Sequence, residues 1–563
     1  MKFKFDIQKS EEYIRNIICG LMVVILGFLF VESFMHTMML TSTKEMFEGI
    51  SYHHDNFIFN GIYMTAALLI IRAVMPKLEK APVHLYTGLL IAVTIICGLA
   101  WVISSQASQQ ADQYLVSHAG WLAAHDDFSF MDDRYFSNCP YQLGMVLFYE
   151  IQFRLFAKNA DTIICTQIIN VFYLAAAYIA LILIMGKLFK SKRIQIMSAL
   201  TMMLSLQPLL YTTFVYAVIP GIANVLFALL FEIKYFETEN NKKYLYAGLS
   251  EFFMVFSIMI KTNNYIALIA LAGTAFIKFI VRRKPFDAFY IITMLCFSVN
   301  VLSCVATSYE HRSGKELGPA VPMTGYIAMG LDDPKGVLGC NAMGWYSSHY
   351  TFSNMDSHNY DAKAADEFAR EGIKNSIHKF MTDYSYANDF FYEKNTSQWN
   401  EPTVASLWVN LVVGRYNGTE PGKLGKAVIE TNGGDSHSPL MEYMNVCHLF
   451  VFMSAFAGVF VCFKKKDLFC SSLILIVLGA FLYHMIFEGK SQYIMPYYII
   501  LTGFSGAGTD LLIRKINEIK LSKSSPVTVN APASETVPVT EKTIADTDET
   551  ASETVPETAE KKS

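Results

Sequence analysis

HLYTGLLIAVTIICGLAWVIS at 84–104 and ADQYLVSHAGWLAAHDDFSFMDDRYFSNCPYQLGMVLFYEIQF at 111–153 decide the class of this chain. The first is an unbroken apolar run of the length that crosses a ~30 Å hydrocarbon core. With no water there to pair its backbone, such a run is a helix. The second stretch breaks the pattern. It carries Asp112, Asp126, Asp127, Asp132 and Asp133 among aromatics, and closes on a Pro-Tyr-Gln-Leu-Gly turn into an amphipathic segment. A simple connection between helices has no need of five carboxylates, so candidate chemistry is sought here.

Outward from this point the apolar runs recur. They lie near 16–36, 57–75, 84–104, 162–187, 194–210, 213–233, 243–260, 264–281, 286–307, 444–463, 468–487 and 493–513. The chain has 563 residues, 53% hydrophobic and only 17% charged, where a soluble protein is about a quarter charged. The expected fold class is an all-α polytopic membrane protein with about twelve transmembrane helices and a mixed outside loop domain. The expected division is 1–83 (a cytoplasmic start plus two helices), 84–307 (a membrane core with outside loop 105–161), 308–443 (a large extracytoplasmic loop), 444–513 (the last helices) and 525–563. The start MKFKF is followed by acids and a long apolar run without a small-residue cleavage site, which reads as a retained signal anchor. The tail beyond Ser524 repeats ASETVP, is rich in Thr, Glu, Ala, Pro and Val, and reads as disordered.

Lys and Arg set the orientation. One set of connections carries Lys77 and Lys80, Lys187 to Arg193, Lys234 to Lys243, Lys278 to Lys284 and Lys464 to Lys466. The short connections of the other set carry only Lys44, Lys261 and Lys490. Both termini are therefore expected in the cytoplasm, with 105–161 and 308–443 outside a cell membrane. In the long loop, Ala365, Phe368, Ile373, Ile377 and Phe380 recur at helical spacing between Asp361 and Asp383. GPAVPMTGYIAMGL at 318–331 is apolar but too short to span.

Each candidate residue has a bland reading beside the chemical one. Asp112, about one turn beyond the third span, suits a general base or is a solvated loop acid. The pairs Asp126–Asp127 and Asp132–Asp133 are candidate oxygen ligands for Mg²⁺ or Mn²⁺, or helix caps. His53-His54-Asp55 is a weaker metal candidate. Lys261 and Lys490 break the positive-inside pattern; they would hold a phosphate or snorkel to headgroups. Glu488 and Gln492 flank Lys490, and Arg134 and Arg154 are further phosphate candidates. Tyr135, Trp121, Trp345 and Trp399 would stack on a sugar or belong to an interfacial aromatic belt. The ten cysteines form no CxxC or Cys/His zinc pattern; Cys139 and Cys340 lie in outside loops and could pair. No Walker loop or dinucleotide fingerprint is present, and nothing points to nucleic acid. Few ionisable residues lie within the spans, which counts against an ion-coupled transporter.

Three segments together resemble the GT-C class of membrane glycosyltransferases, which includes protein O-mannosyltransferases and the aminoarabinose transferase of lipid A. ADQYLVSHAGWLAAHDDFSFMDDRYFSNCPYQLG at 111–144 is similar to that class's first outside loop, in which an acid precedes a short helix and a Tyr/Pro/Gly turn. QPLLYTTFVYAVIPGIANVLF at 207–227 resembles a later outside turn, and EGKSQYIMPYY at 488–498 resembles the signature before the last helix. IAMGLDDP at 327–334 and FYEKNTSQW at 391–399 look like a bacterial, Gram-positive branch. The chain departs from the pattern in three places. Two extra spans come first, Val218 stands where related chains often carry an acid, and Gln492 replaces the usual Arg.

The resemblance implies transfer of a sugar from a polyprenyl-phosphate donor to a cell-surface acceptor, with inversion, at the outer face. Asp112 falls on the position of the base. Lys261, Lys490, Gln492 and Arg134 would bind the donor phosphate. Gln113, Tyr135, Tyr493 and Glu488 would contact substrate. The implied acceptor is a surface glycan such as teichoic acid or a wall polysaccharide. The rival readings are a lipid-linked sugar flippase or transporter, a surface-polysaccharide polymerase or ligase, and an assembly protein that binds through the 308–443 loop.

Overall fold

The computed structural model describes residues 7–41, 49–109, 111–156, 163–335, 342–408, 420–431, 438–465 and 467–524. By contacts the chain divides into Met1–Ile516, which holds everything below, and Asn517–Ser563, of which only 517–524 are described, as helix. The repeats of the tail, the loop residue Cys340 and with it the Cys139–Cys340 pairing, and Lys44 lie outside the described residues.

The protein is an all-α polytopic membrane protein. Among the described residues ten helices are long and apolar enough to cross a membrane: Ser10–Met35, Phe57–Leu78, Val83–Ser105, Ile164–Phe189, Val218–Glu237, Lys242–Ile260, Thr262–Arg282, Pro285–Ser313, Pro439–Phe463 and Leu468–Ile486. Lys192–Leu204 and Leu206–Thr213, bent by 52°, make an eleventh if counted as one. The last apolar run of the sequence opens the helix Met495–Ser524. Gly, Ser, Thr and Tyr make this helix less apolar than the ten, yet 497–510 is buried throughout. Small residues let helices approach closely where lipid gives no hydrophobic drive between them. Here Ser198 Oγ donates to the Gly503 carbonyl at 2.6 Å.

Val218–Glu237 lies between Ile164–Phe189 and Lys242–Ile260, and the N-terminal helix packs along Pro439–Phe463. At one end of the bundle the basic connections meet acids. Arg193 pairs with Asp510 at 2.7 Å, Lys187 with Glu237 at 2.6 Å, and Lys278 with Glu11 at 2.6 Å and Asp467 at 3.1 Å.

The other end gathers the 111–156 segment, the 211–217 turn, Lys261, the long loop and the 487–493 turn. It also holds an element that period-counting missed, an antiparallel hairpin of His36–Thr41 and Gly49–His54 with Met38 opposite Tyr52. The hairpin is docked by Met38 N–H donating to the Asn400 carbonyl (3.1 Å) and by a Tyr52–Thr396 hydroxyl contact (2.8 Å).

The described part of the long loop is built of helices joined by irregular turns. Ala362–Thr382 starts on Asp361, whose carboxylate accepts from the N–H groups of Lys363 and Ala364, and stops at Asp383, which caps Tyr384–Trp399 in turn. The buried face of Ala362–Thr382 is Ala365, Ala369 and Gly372. Phe368 and Ile377 of the expected stripe remain exposed. The apolar 318–331 stretch becomes the helix Met323–Gly330, packed on Ala362–Thr382 and on the span ending at Ile486. Within the 111–156 segment, the Glu150 carboxylate joins the helix Leu143–Phe156 to Pro285–Ser313. It accepts from Tyr309 (2.6 Å), Arg154 Nε (2.9 Å) and both terminal nitrogens of Arg312.

Candidate active site

Asp112 lies in the first turn of the helix Ala111–Ala124. It keeps accessible surface although protein surrounds it, as a residue on the wall of a recess does. The 211–217 turn reaches this helix through Gln113, whose buried Oε1 accepts from Val215 N–H at 3.0 Å. That brace brings Tyr216 to Asp112: the phenol donates to Asp112 Oδ2 at 3.0 Å. Gln142, from the Pro-Tyr-Gln-Leu-Gly turn, donates to the oxygens of both Tyr216 (2.5 Å) and Tyr135 (3.2 Å), which sets the Tyr135 phenol beside the Tyr216–Asp112 pair. The glycine of that turn has a steric reason. A Cβ on Gly144 would lie 1.9 Å from the Met259 carbonyl oxygen, so only glycine lets this helix pass the end of Lys242–Ile260.

That same helix end presents Lys261. Its ammonium stands 3.6 Å from the centroid of the Tyr216 ring, a cation–π contact. A Cβ on Gly221 would touch Lys261 Cβ at 3.4 Å and Asn264 Nδ2 at 2.8 Å, so the absence of a side chain there makes room for the lysine turn. Burial pushes the Lys261 ammonium down to about 7, against the pull of the Asp112 and Glu488 carboxylates. Burial pushes Asp112 up from the usual carboxylate range; the Tyr216 hydrogen bond and the Lys261 charge, then Tyr135 and Lys490, hold it back. Asp112 and Lys261 thus share one electrostatic site through Tyr216, although 149 residues separate them in sequence.

Lys490 sits on the facing turn, 5.6 Å from the centroid of a Trp345 ring. Glu488 accepts from the Tyr493 hydroxyl at 2.9 Å. Gly489 N–H donates to the Gly344 carbonyl at 2.8 Å, which fixes this turn to the long loop. Gln492 uses its backbone carbonyl to accept from Tyr211 at 3.2 Å. A third lysine faces Glu488. Lys394 is fully buried and donates to the Gly330 carbonyl. Burial pushes it down to about 7 against the charge of Glu488. Nothing local in the sequence sets Lys394 apart from other loop lysines. Tyr216 and Gln142 lie within motif-bearing segments, but their contacts depend on distant turns.

The structure does not gather the paired aspartates. Asp126 pairs with Arg154 at 2.6 Å and Asp132 with Lys315 at 2.5 Å. Asp127 accepts from Ser129 N–H at 2.8 Å, which draws its carboxyl below the usual range, and Asp133 caps Tyr135 N–H at 2.9 Å. Four separate partners leave no shared cation cage. Among the described residues no three His, Cys, Asp or Glu side chains converge as metal ligands. Arg134 is drawn to Tyr360 and, at 3.6 Å, to Asp356. Cys139 Sγ lies 3.3 Å from the Tyr326 hydroxyl.

No protein-family model matches the chain, and no curated protein sequence matches it. Among solved structures it is similar to the archaeal oligosaccharyltransferase AglB of Archaeoglobus fulgidus, determined with an inhibitory peptide and a dolichol-phosphate. The TM-score is 0.39 and the sequence identity 10%, over 79% of this chain and 52% of that one. The chain spans about half the length of that protein.

Proposed function

We propose that this protein is a membrane glycosyltransferase that takes a sugar from a polyprenyl-phosphate-type donor and passes it to a surface glycan on the extracytoplasmic face. One observation carries the reading. A carboxylate poised as a base, Asp112, shares a recess with buried or half-buried lysines on two different turns. The lipid tail would lie against the spans, with the phosphate at Lys261 and Lys490. Glu488, Tyr493 and Gln492 would orient that turn, and Gln113 would position Asp112 by bracing Tyr216. Asp112 takes the proton of the acceptor hydroxyl as its oxygen attacks the anomeric carbon. The prenyl phosphate leaves from the opposite side, so the anomeric configuration inverts. General-base help supplies about 10²–10⁴-fold; the lysines stabilise the leaving phosphate's charge and the recess sets the orientation. The chemistry needs no second carboxylate nucleophile, and the dispersed aspartates give no reason to route a step through a metal.

The test is Asp112→Asn in purified protein given a radiolabelled prenyl-phosphate sugar and an acceptor. Transfer is expected to fall by about 10²–10⁴-fold while expression and membrane insertion stay normal. Near-normal transfer by this variant sinks the assignment of the base.

A further inference from the structure

A second recess adjoins the first across Tyr135. Gln142 donates to the hydroxyls of Tyr135 and Tyr216, and Tyr216 donates to Asp112, so Tyr135 borders the first recess while it also lines an open cavity of about 390 Å³. Its ring stacks on Phe352, with centroids 6.2 Å apart and planes 12° apart. Across the cavity Arg134 lies 4.3 Å over the Tyr360 ring and pairs with Asp356 at 3.6 Å. Asn138 forms part of the lining. It is only 4% exposed, and its side-chain oxygen Oδ1 has no hydrogen-bond partner. A buried acceptor left unpaired costs free energy that a ligand's donor would recover.

The inventory of groups decides what fits. Asn138 Oδ1 and the carboxylates of Asp133 and Asp356 accept hydrogen bonds, and only Arg134 brings charged donors. Phe352 and Tyr360 supply flat apolar faces. A polyol-phosphate chain also has hydroxyl donors, but it carries a negative phosphate in every unit, which would meet the two carboxylates. A hydroxyl- or amine-bearing sugar offers donors and an apolar ring face. Resting on the glycosyltransferase reading, we infer that this cavity is the acceptor subsite, and that it takes a neutral or amine-bearing glycan in preference to a polyol-phosphate chain. Arg134 then belongs to the acceptor and not to the donor phosphate. Tyr135 is the wall across which the acceptor hydroxyl reaches Asp112.

The experiment titrates the full-length protein with three probes: an N-acetylglucosamine tetramer, its N-deacetylated counterpart under mildly acidic conditions, and a glycerol phosphate tetramer. The deacetylated sugar is expected to bind tightest, and glycerol phosphate at least about tenfold more weakly than either sugar. Asn138→Leu and Asp356→Ala should each weaken sugar binding by about tenfold, with unchanged thermal melts. The Asp356 side chain is exposed, so that variant decides the matter if Asn138→Leu fails to fold. Glycerol phosphate binding as tightly as the sugars, no sugar binding at all, or sugar binding unchanged in the folded variants overturns the inference. Asp112→Asn separates the two readings. Full transfer by Asp112→Asn with the sugar site intact overturns the catalytic reading alone. Transfer lost in Asp112→Asn, but with no sugar bound in this cavity, overturns the subsite alone.

Discussion

At Asp112 burial and hydrogen bonding pull in opposite directions, and the balance defines a pH profile. Burial raises the carboxyl, whereas Tyr216 donates to its ionised form. On the proposed role of Asp112 as a base acting in its carboxylate form, kcat/KM should fall as pH drops through this raised value. Tyr216→Phe removes one charge-assisted donor, worth about 1.5–3 kcal/mol, which is about one to two pH units. The acid limb of kcat/KM is then expected to move to higher pH by about that amount. A uniform loss of rate with no movement of the limb would mean that Tyr216 only packs. Lys261 gives the complementary profile. It sits at about 7 with Asp112 and Glu488 as counter-charges, and a bound phosphate would raise it. Donor affinity should be constant below that value and weaken by up to about tenfold per pH unit above it. Lys261→Arg, always charged, should abolish the dependence; a donor KM that varies identically with pH in both proteins rejects the role. Asp112 stood out in the sequence as a candidate because it lies one turn past a span and falls on the base position of the resembled motif. Tyr216 did not, since its contact with Asp112 spans 104 positions and exists only once Gln113 has captured the 211–217 turn.

The helices were the legible elements, because lipid imposes length and apolarity on each span and so writes it into the sequence. Every expected run falls on helical segments, with 194–210 broken at Ser205 into two helices bent by 52°. The residues that make helices meet follow no such local rule. Glu150 reads as one acid in an amphipathic segment, yet it holds Leu143–Phe156 to Pro285–Ser313 through Arg312 and Tyr309, with Arg154 of its own helix as a third donor. The hairpin His36–Thr41/Gly49–His54 escaped notice for a related reason. Its strands are short, and their pairing depends on docking against Tyr52–Thr396 and Met38–Asn400 contacts far along the chain. Glu150→Gln removes the charge from the centre of its network and should destabilise the protein by about 2 kcal/mol, since two arginines lose their carboxylate. Burial would raise this carboxyl, but the hydrogen bonds from Arg312, Tyr309 and Arg154 outweigh it and hold it below the usual range. The stabilisation is therefore complete above the ordinary carboxylate range and is lost as pH falls through the lowered folded value. Thermal unfolding in detergent should show the gap between variant and wild type closing as the solution is acidified; a constant gap assigns the loss to packing instead.

Across the whole molecule the two ends of the bundle differ in kind. One end is stitched by ion pairs, among them the exposed pair Lys187–Glu237. Single exposed pairs contribute about 0–1 kcal/mol each, so their importance lies less in stability than in the charge bias that orients insertion. The opposite end gathers long loop helices, tyrosines and the few lysines that break the bias, and it holds both recesses around Tyr135. This polarity makes orientation the assumption on which a lipid-linked donor rests, because a site facing the cytoplasm would have nucleotide sugars at hand. Lys363 in the long loop and Lys80 between the second and third spans are both exposed, so each tolerates a reporter. In intact cells a membrane-impermeant maleimide is expected to label Lys363→Cys above the level of the unsubstituted protein. It should label Lys80→Cys only after the membrane is opened. The reverse pattern would place Asp112 in the cytoplasm and remove the reason for a lipid-phosphate donor, even if Asp112→Asn were inactive. Labelling as expected, together with loss of transfer in Asp112→Asn, would put the donor on the extracytoplasmic side, where the proposed mechanism has the lysines of the 261 and 490 turns meet its phosphate.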